Sequence, residues 1–400
     1  MRPVRPIRRI SGVLAASLLT GVTAAALAVC GPFGDVSDST FCPLVQELFY
    51  LGITTGTTPT TYSPGDSVNR LQMAAFLSRT VDTVLQRGSL RAALGHFWTP
   101  TRRESLWTVT LGYGPVGVAF DGMDLWVSNT YAGVYRVRAS DGRLLETWTG
   151  GGFLQQILPA MGTVFVTGAT NVGKLYSLNP TQPAGALTEV ATGLGGGANG
   201  IAFDGDRIWT ANNLPYGEGS VSIITPGPSI PWTVTTITTG FVLPLGILYD
   251  GSHIWVTDSS AGTLLKLDRD GSILQTVTIG ARAGPGHPVF DGANIWVPNN
   301  GAFTTGVVRA STGAVLMNLP GNGQNFPNHA AFDGERILVS SQGTLGGGAV
   351  SLWKAADLTP LGSFTFPPHE NPQGVCSDGL NFWITVDGFV DPRLGLLARF

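Results

Sequence analysis

The chain holds only five histidines, and two of them occupy equivalent places in a repeating pattern. His287 and His329 each lie five residues before a recurring turn glycine, where other copies carry Gly117, Gly200, Gly246 and Gly374. A neutral imidazole in such a place can accept a proton as a general base, or hold a substrate or a metal ion. Either task requires a positioned partner, and the nearest acids in the pattern are Asp258 and Asp387, with Glu370 beside His369 as a further one. The plainer reading is that the two rings fill space and satisfy backbone carbonyls. It is preferred here, because no constellation of carboxylates is visible around them. Nucleophile-elbow, phosphate-loop, zinc and EF-hand patterns are also missing from the sequence, so no cofactor or metal is expected.

The elements that must position these histidines follow from the repeat. The turn glycines are Gly122, Gly162, Gly205, Gly251, Gly292, Gly334 and Gly379, spaced 40 to 46 residues apart. Five copies place a tryptophan four residues later, at Trp126, Trp209, Trp255, Trp296 and Trp383; the others have Phe165, one residue earlier, and Leu338. An apolar strand precedes each turn, and three more strands follow it. Four strands at this period describe one blade of a β-propeller, whose faces are buried only by neighbouring blades. The repeated aromatic is then the wedge between blades. The last copy stops after three strands at residues 395–400, and a spare strand, "SLWTVTL", stands at 105–111. Pairing the two antiparallel closes seven blades and leaves no open edge. The glycine place lies at the start of the innermost strand, so both histidines should face one mouth of the central channel.

The wording of these repeats resembles NHL/YVTN-type propellers over nearly 300 residues. The channel histidines are similar to those of streptogramin-lyase-type propellers, whose active sites join histidines with carboxylates and a divalent metal. Where that family often has glutamate after the second strand, this chain has Asn129, Asn212 and Asn299. The resemblance implies His287 and His329 as catalytic residues of an alternative reading, an extracellular lyase or lactonase.

Residues 33–79 follow a different pattern. Phe41, Leu44, Val45, Leu48 and Phe49 predict one amphipathic helix, and Met73, Phe76, Leu77, Val81 and Val84 a second. Ser39 and Thr40 suit its N-cap, and a turn-rich loop separates the two helices. "FGDV" at 33–36, "LGITTG" at 51–56 and "YSPGDSVNRLQMAAFLSR" at 62–79 resemble, in order, the three motifs of an S-layer homology (SLH) module. The resemblance implies binding of cell-wall polysaccharide through Asp35 and Arg70. Asn69 and Leu71-Gln72 stand where the family usually has other neighbours of the arginine. An arginine fork suits an anionic sugar substituent, but the same two residues would equally cap and stitch a small helical fold.

Before this module, Arg2, Arg5, Arg8 and Arg9 precede an apolar run from Val13 to Ala28, the layout of a secretory signal. No transmembrane helix is expected after its removal. Cys30 and Cys42 could close a small loop in an oxidising compartment, Leu27-Ala28-Val29-Cys30 also resembles a lipoprotein cleavage box, and Cys376 reads as a buried thiol. Charged residues make up only 12% of the chain and the net charge is −3, which excludes an electrostatic case for nucleic acid. The sequence therefore describes a mainly β protein: a signal peptide at 1–28, a small all-α SLH-like module at 29–87, a linker at 88–104 and a seven-bladed β-propeller at 105–400. The expected role is a secreted, wall-associated recognition scaffold, non-catalytic, with a protein, glycan or small-molecule ligand at the propeller.

Overall fold

An Asp-Gly turn needs a left-handed glycine, and all seven turn glycines have φ between 69° and 101°. In five blades the aspartate before the glycine organises the whole corner. Asp204 accepts the backbone amides of Asp206 and Arg207 through one oxygen, and the Trp209 indole N–H at 2.9 Å through the other. Asp121, Asp250, Asp291 and Asp378 hold Trp126, Trp255, Trp296 and Trp383 in the same way at 2.7 Å. One carboxylate thus closes the turn and fixes the rotamer of the largest core side chain. Blade 2 lacks this aspartate. There Met161 and Gly162 both take positive φ, and Ala160 pairs directly with Thr163 in a two-residue turn. That shorter turn explains why its aromatic, Phe165, comes one residue early.

The computed structural model describes residues 30, 32–37, 41–50, 53–77, 80 and 107–400, apart from 215, 281, 345–346 and 389–394. The expected signal at 1–28 and linker at 88–104 lie outside these residues. Contacts divide the chain into two units, residues 1–88 and 89–400.

The larger unit consists of seven four-stranded antiparallel sheets. Six have consecutive strands, from the inner strand outward. The seventh takes its outer strand from the other end of the propeller: Trp107–Leu111 pairs antiparallel with Gly395–Arg399, Leu111 opposite Gly395. The innermost strands touch one another in a closed cycle, so the ring is complete. Each wedge residue packs into the next blade's core. Trp126 joins Leu154, Ile157 and Val164; Trp209 joins Ile247, Ile254 and Val256; Trp383 joins Val118, Leu125 and Val127, crossing the closure. All five wedge tryptophans are fully buried. Arg136, Arg207, Lys266 and Arg399 lie 5.2–5.9 Å from the ring centres of the wedge tryptophans in their own blades. Cys376 packs into the blade 1 cluster, where burial raises its thiol pKa and the Asp378 charge adds to the shift.

Hydroxyls stitch blade to blade. Ser128, Thr167, Thr257, Ser340 and Thr385, two residues after the wedge, each donate to an inner-strand carbonyl of the following blade. Four of these bonds measure 2.6–2.8 Å. Blades 3 and 5 have Ala211 and Pro298 at this place, with no hydroxyl to offer. This difference matters at the site below.

In the smaller unit, helix α1 (Cys42–Tyr50) buries Val45 against Cys30, Phe33 and Val36. The apolar stripe read from the sequence is wider than the core it meets: Phe41 and Leu44 are more than half exposed, as is Leu77 further on. Residues 70–77 form a second helical segment. Its start is a reciprocal capping box. Asn69 Oδ1 accepts the Gln72 amide and Gln72 Oε1 accepts the Asn69 amide, both at 2.9 Å. Two of the residues that depart from the SLH-like pattern, Asn69 and Gln72, therefore have a local structural task. All three cysteines are free thiols, and Cys30 Sγ donates to the Cys42 carbonyl at 3.0 Å.

Candidate functional site

The start of every inner strand is best located by counting nine residues back from the wedge residue, which gives Gly117, Gln156, Gly200, Gly246, His287, His329 and Gly374. Counting from the turn glycine misses Gln156, because the blade 2 turn is one residue short. Four of the seven places must be glycine for a steric reason. A Cβ on Gly374 would lie 2.3 Å from the Val116 carbonyl oxygen, and one on Gly200 2.5 Å from that of Leu245. The other three side chains meet around the axis.

His287 and His329 stack with ring centroids 4.0 Å apart and planes within 5°. Gln156, from blade 2, places its side-chain nitrogen 3.0 Å from His329 Nε2. The cause of the close stacking is main-chain geometry at the junction of blades 5 and 6. Pro298 offers no hydroxyl there, and the Asn328 carbonyl accepts the His287 amide at 2.7 Å instead. The Ala330 amide donates back to the His287 carbonyl, forming a parallel bridge between the two histidines. The sequence expectation that both rings share one end of the ring, near its axis, is met.

Burial lowers the pKa of His287 to about 4. His329 also falls well below the ordinary histidine range, through burial and then through the neighbouring His287. Both rings are therefore neutral at pH 7. Gln156 Nε2 donates to His329 Nε2 as the amide is oriented here, which places the ring proton of His329 on Nδ1. That Nδ1 is buried without a hydrogen-bond partner.

The acids weighed as partners lie in other surroundings. Asp258 is fully buried and accepts three backbone amides, from Val242, Leu243 and Ala261, at 2.6–3.1 Å. It is a loop cap. Asn129 does the same work, accepting the Tyr131 and Ala132 amides and donating to the Gly112 carbonyl. Glu370 and Asp387 belong to the first two strands of blade 7, at their ends on the mouth side. Glu370 precedes the Gly374 level by four residues, on the order of 10 Å along an extended strand. Burial raises its pKa. Among the described residues, no three or more His, Cys, Asp or Glu side chains gather as a metal-binding group.

The two residues carried over from the SLH-like motifs have different surroundings. Asp35 accepts the Tyr62 amide at 2.8 and 3.1 Å and the Ser63 amide at 2.6 Å, and these bonds hold its carboxyl below the usual range. It stitches the loop. Arg70 is exposed on the first turn of the capped helical segment.

No protein-family model matches the chain, and a search of curated proteins finds no match. Among solved structures, the chain is similar to a catalytically inactive virginiamycin B lyase from Staphylococcus aureus with quinupristin, at TM-score 0.57 and 15% identity. That match covers 74% of this chain and 100% of the lyase. A streptogramin B lyase follows at TM-score 0.56 and 16% identity, over 74% of this chain and 98% of that one. The WD40 propeller domain of Doa1 gives TM-score 0.59 at 13% identity, over 73% and 95%. At these identities the likeness is one of fold: the chain is a seven-bladed β-propeller.

Proposed function

We propose that this chain is an exported recognition protein held at the cell wall, with the propeller as its ligand-binding scaffold. In this reading residues 1–28 direct export and residues 29–87 bind cell-wall polysaccharide. The observation that favours binding over catalysis is the neutral group at the axis. The imidazoles contact each other and a carboxamide, while Asp258 is consumed by loop amides. Arg70 is the residue offered to an anionic sugar substituent, and Asp35 shapes the loop beside the module's core.

The test is cosedimentation of the full chain with purified wall polysaccharide. Arg70→Ala is expected to lower the bound fraction several-fold without changing thermal stability, since the side chain is exposed. Asp35→Ala is expected to lower both, because it leaves the Tyr62 and Ser63 amides without their acceptor. Wall binding indifferent to Arg70 would refute the anchoring role.

A lyase-type or lactonase-type enzyme is the second reading, drawn from the likeness in fold to the streptogramin B lyase. The double variant His287→Gly/His329→Gly separates the two. As space-filling residues, the histidines should be replaceable at a small stability cost at pH 7, with no lyase or lactonase turnover in parent or variant. Their lowered pKa has a clear consequence for acid stability. An imidazole whose folded pKa lies below its unfolded value favours folding above pH 6.5. That contribution is lost as pH falls from 6.5 toward 4. The parent should therefore lose stability across this window, and the double variant should lose distinctly less. Histidine-dependent turnover would establish the enzyme reading.

A further inference from the structure

One residue before the axial ring, the inner strands carry Gln155, Asn199, Asn328 and Gln373 in blades 2, 3, 6 and 7. These four carboxamides are only partly buried, so the ring of side chains at this level is polar and uncharged, while Glu370 and Asp387 of blade 7 stand nearer the mouth. Directly below them stand the neutral imidazoles. Polar atoms here remain unspent. His329 Nδ1 and Asn199 Oδ1 are buried without a hydrogen-bond partner, as is Asn371 Oδ1, three residues before Gly374 and opposite Asp387. With the ring proton on Nδ1, they comprise one donor and two acceptors. His329 is only 6% exposed, and its Nε2 is spent on Gln156 from blade 2, which leaves Nδ1 as the ring atom without a partner.

The chain approaching this mouth carries aromatic rings. Tyr113 stacks on Tyr131 at 5.4 Å with planes 6° apart, and Phe153 meets Tyr131 edge-on at 6.4 Å. Tyr131 is 66% exposed and Phe153 57%. Phe153 lies only two residues before Gln155, within about 7 Å along the strand. It also has φ of 46°, a conformation that bulky residues rarely adopt. An aromatic ledge therefore borders a hydrogen-bonding mouth.

We propose that this mouth is a binding site for an uncharged glycan, a sugar ring lying on the Tyr131 ledge and its hydroxyls reaching the carboxamides and His329. This rests on the recognition reading above and names its ligand class. Each hydroxyl both donates and accepts, which matches unspent atoms of both kinds within one small ligand. The apolar C–H face of a sugar suits an aromatic plane, and uncharged amides do not select for a charged substituent. A peptide is less well served. The inner strands already pair with second strands on one side and crowd their neighbours on the other, so they offer no edge for strand addition.

The experiment uses the full chain carrying Arg70→Ala, so that the wall module does not contribute, on an array of uncharged glycans with acidic glycans and peptides as comparison probes. Hits are quantified by titration calorimetry. Binding confined to uncharged glycans is expected, with affinity at least about tenfold weaker in Tyr131→Ala and in Asn199→Ala. Tyr131→Phe should retain most of the affinity, which separates stacking from a folding defect. Binding only to acidic glycans or peptides, binding unchanged by Tyr131→Ala, or no binding to any probe would overturn the proposal. A negative array alongside Arg70-dependent wall binding overturns the glycan site alone. A positive array without wall binding overturns the anchor alone.

Discussion

Deleting residues 105–111 is expected to destabilise the propeller by at least about 4–6 kcal/mol and to make it aggregate. Leu111 is 4% exposed and Val109 packs beside it, in the cluster that also contains Leu397 and Trp383. Removing two such side chains costs about this much through lost burial and the cavity left behind. Five residue pairs, from Trp107 with Arg399 to Leu111 with Gly395, are lost with them. The strand Gly395–Arg399 then becomes an open edge that templates pairing with other chains. Urea denaturation and size-exclusion chromatography measure both effects. A truncated chain as stable and monomeric as the parent would show that the outer strand is dispensable.

The second large effect is expected at the Asp204–Trp209 corner. Trp209→Ala should cost about 3–5 kcal/mol, since the ring is fully buried between blades 3 and 4. Asp204→Ala should cost about 2–4 kcal/mol. It leaves the indole N–H and two turn amides without their acceptor, and Arg207 without its partner at 3.0 Å. The same carboxylate governs acid stability. Burial by itself would raise its pKa, but the bonds from Trp209 and from the Asp206 and Arg207 amides, with the Arg207 charge, outweigh burial and bring it to about 2. A carboxyl depressed in the folded state stabilises fully above its unfolded value near 3.8, and the contribution is lost as pH falls through that value toward 2. The shift corresponds to about 2 kcal/mol. Stability measured from pH 5 to pH 2 should fall by that increment more in the parent than in Asp204→Ala. Equal slopes would show that the corner aspartate carries no such linkage.

The ring itself was legible in the sequence because its determinants are local. Turn glycines, the tryptophan four residues later and alternating apolar strands specify one blade, and blades sharing that grammar have only each other to pack against. Even the closure could be read: the spare strand seen at 105–111 was expected beside residues 395–400, and Trp107–Leu111 pairs with Gly395–Arg399. The N-terminal helix was legible in position but not in depth: its stripe included Phe41 and Leu44, which the small core around Phe33 does not reach.

The axial site depended on tertiary structure. Gln156 and His329 are 173 residues apart, and only closure of the ring brings a blade 2 side chain to one of blade 6. A two-residue turn at Met161-Gly162 hid Gln156 from a count based on turn glycines. The stacking of His287 on His329 reflects the main-chain bridge that joins their two inner strands. Asp258 was read from its position as an acid near the histidines. The fold gave it a different task by presenting three backbone amides to its carboxylate, because a buried charge is retained where donors already satisfy it.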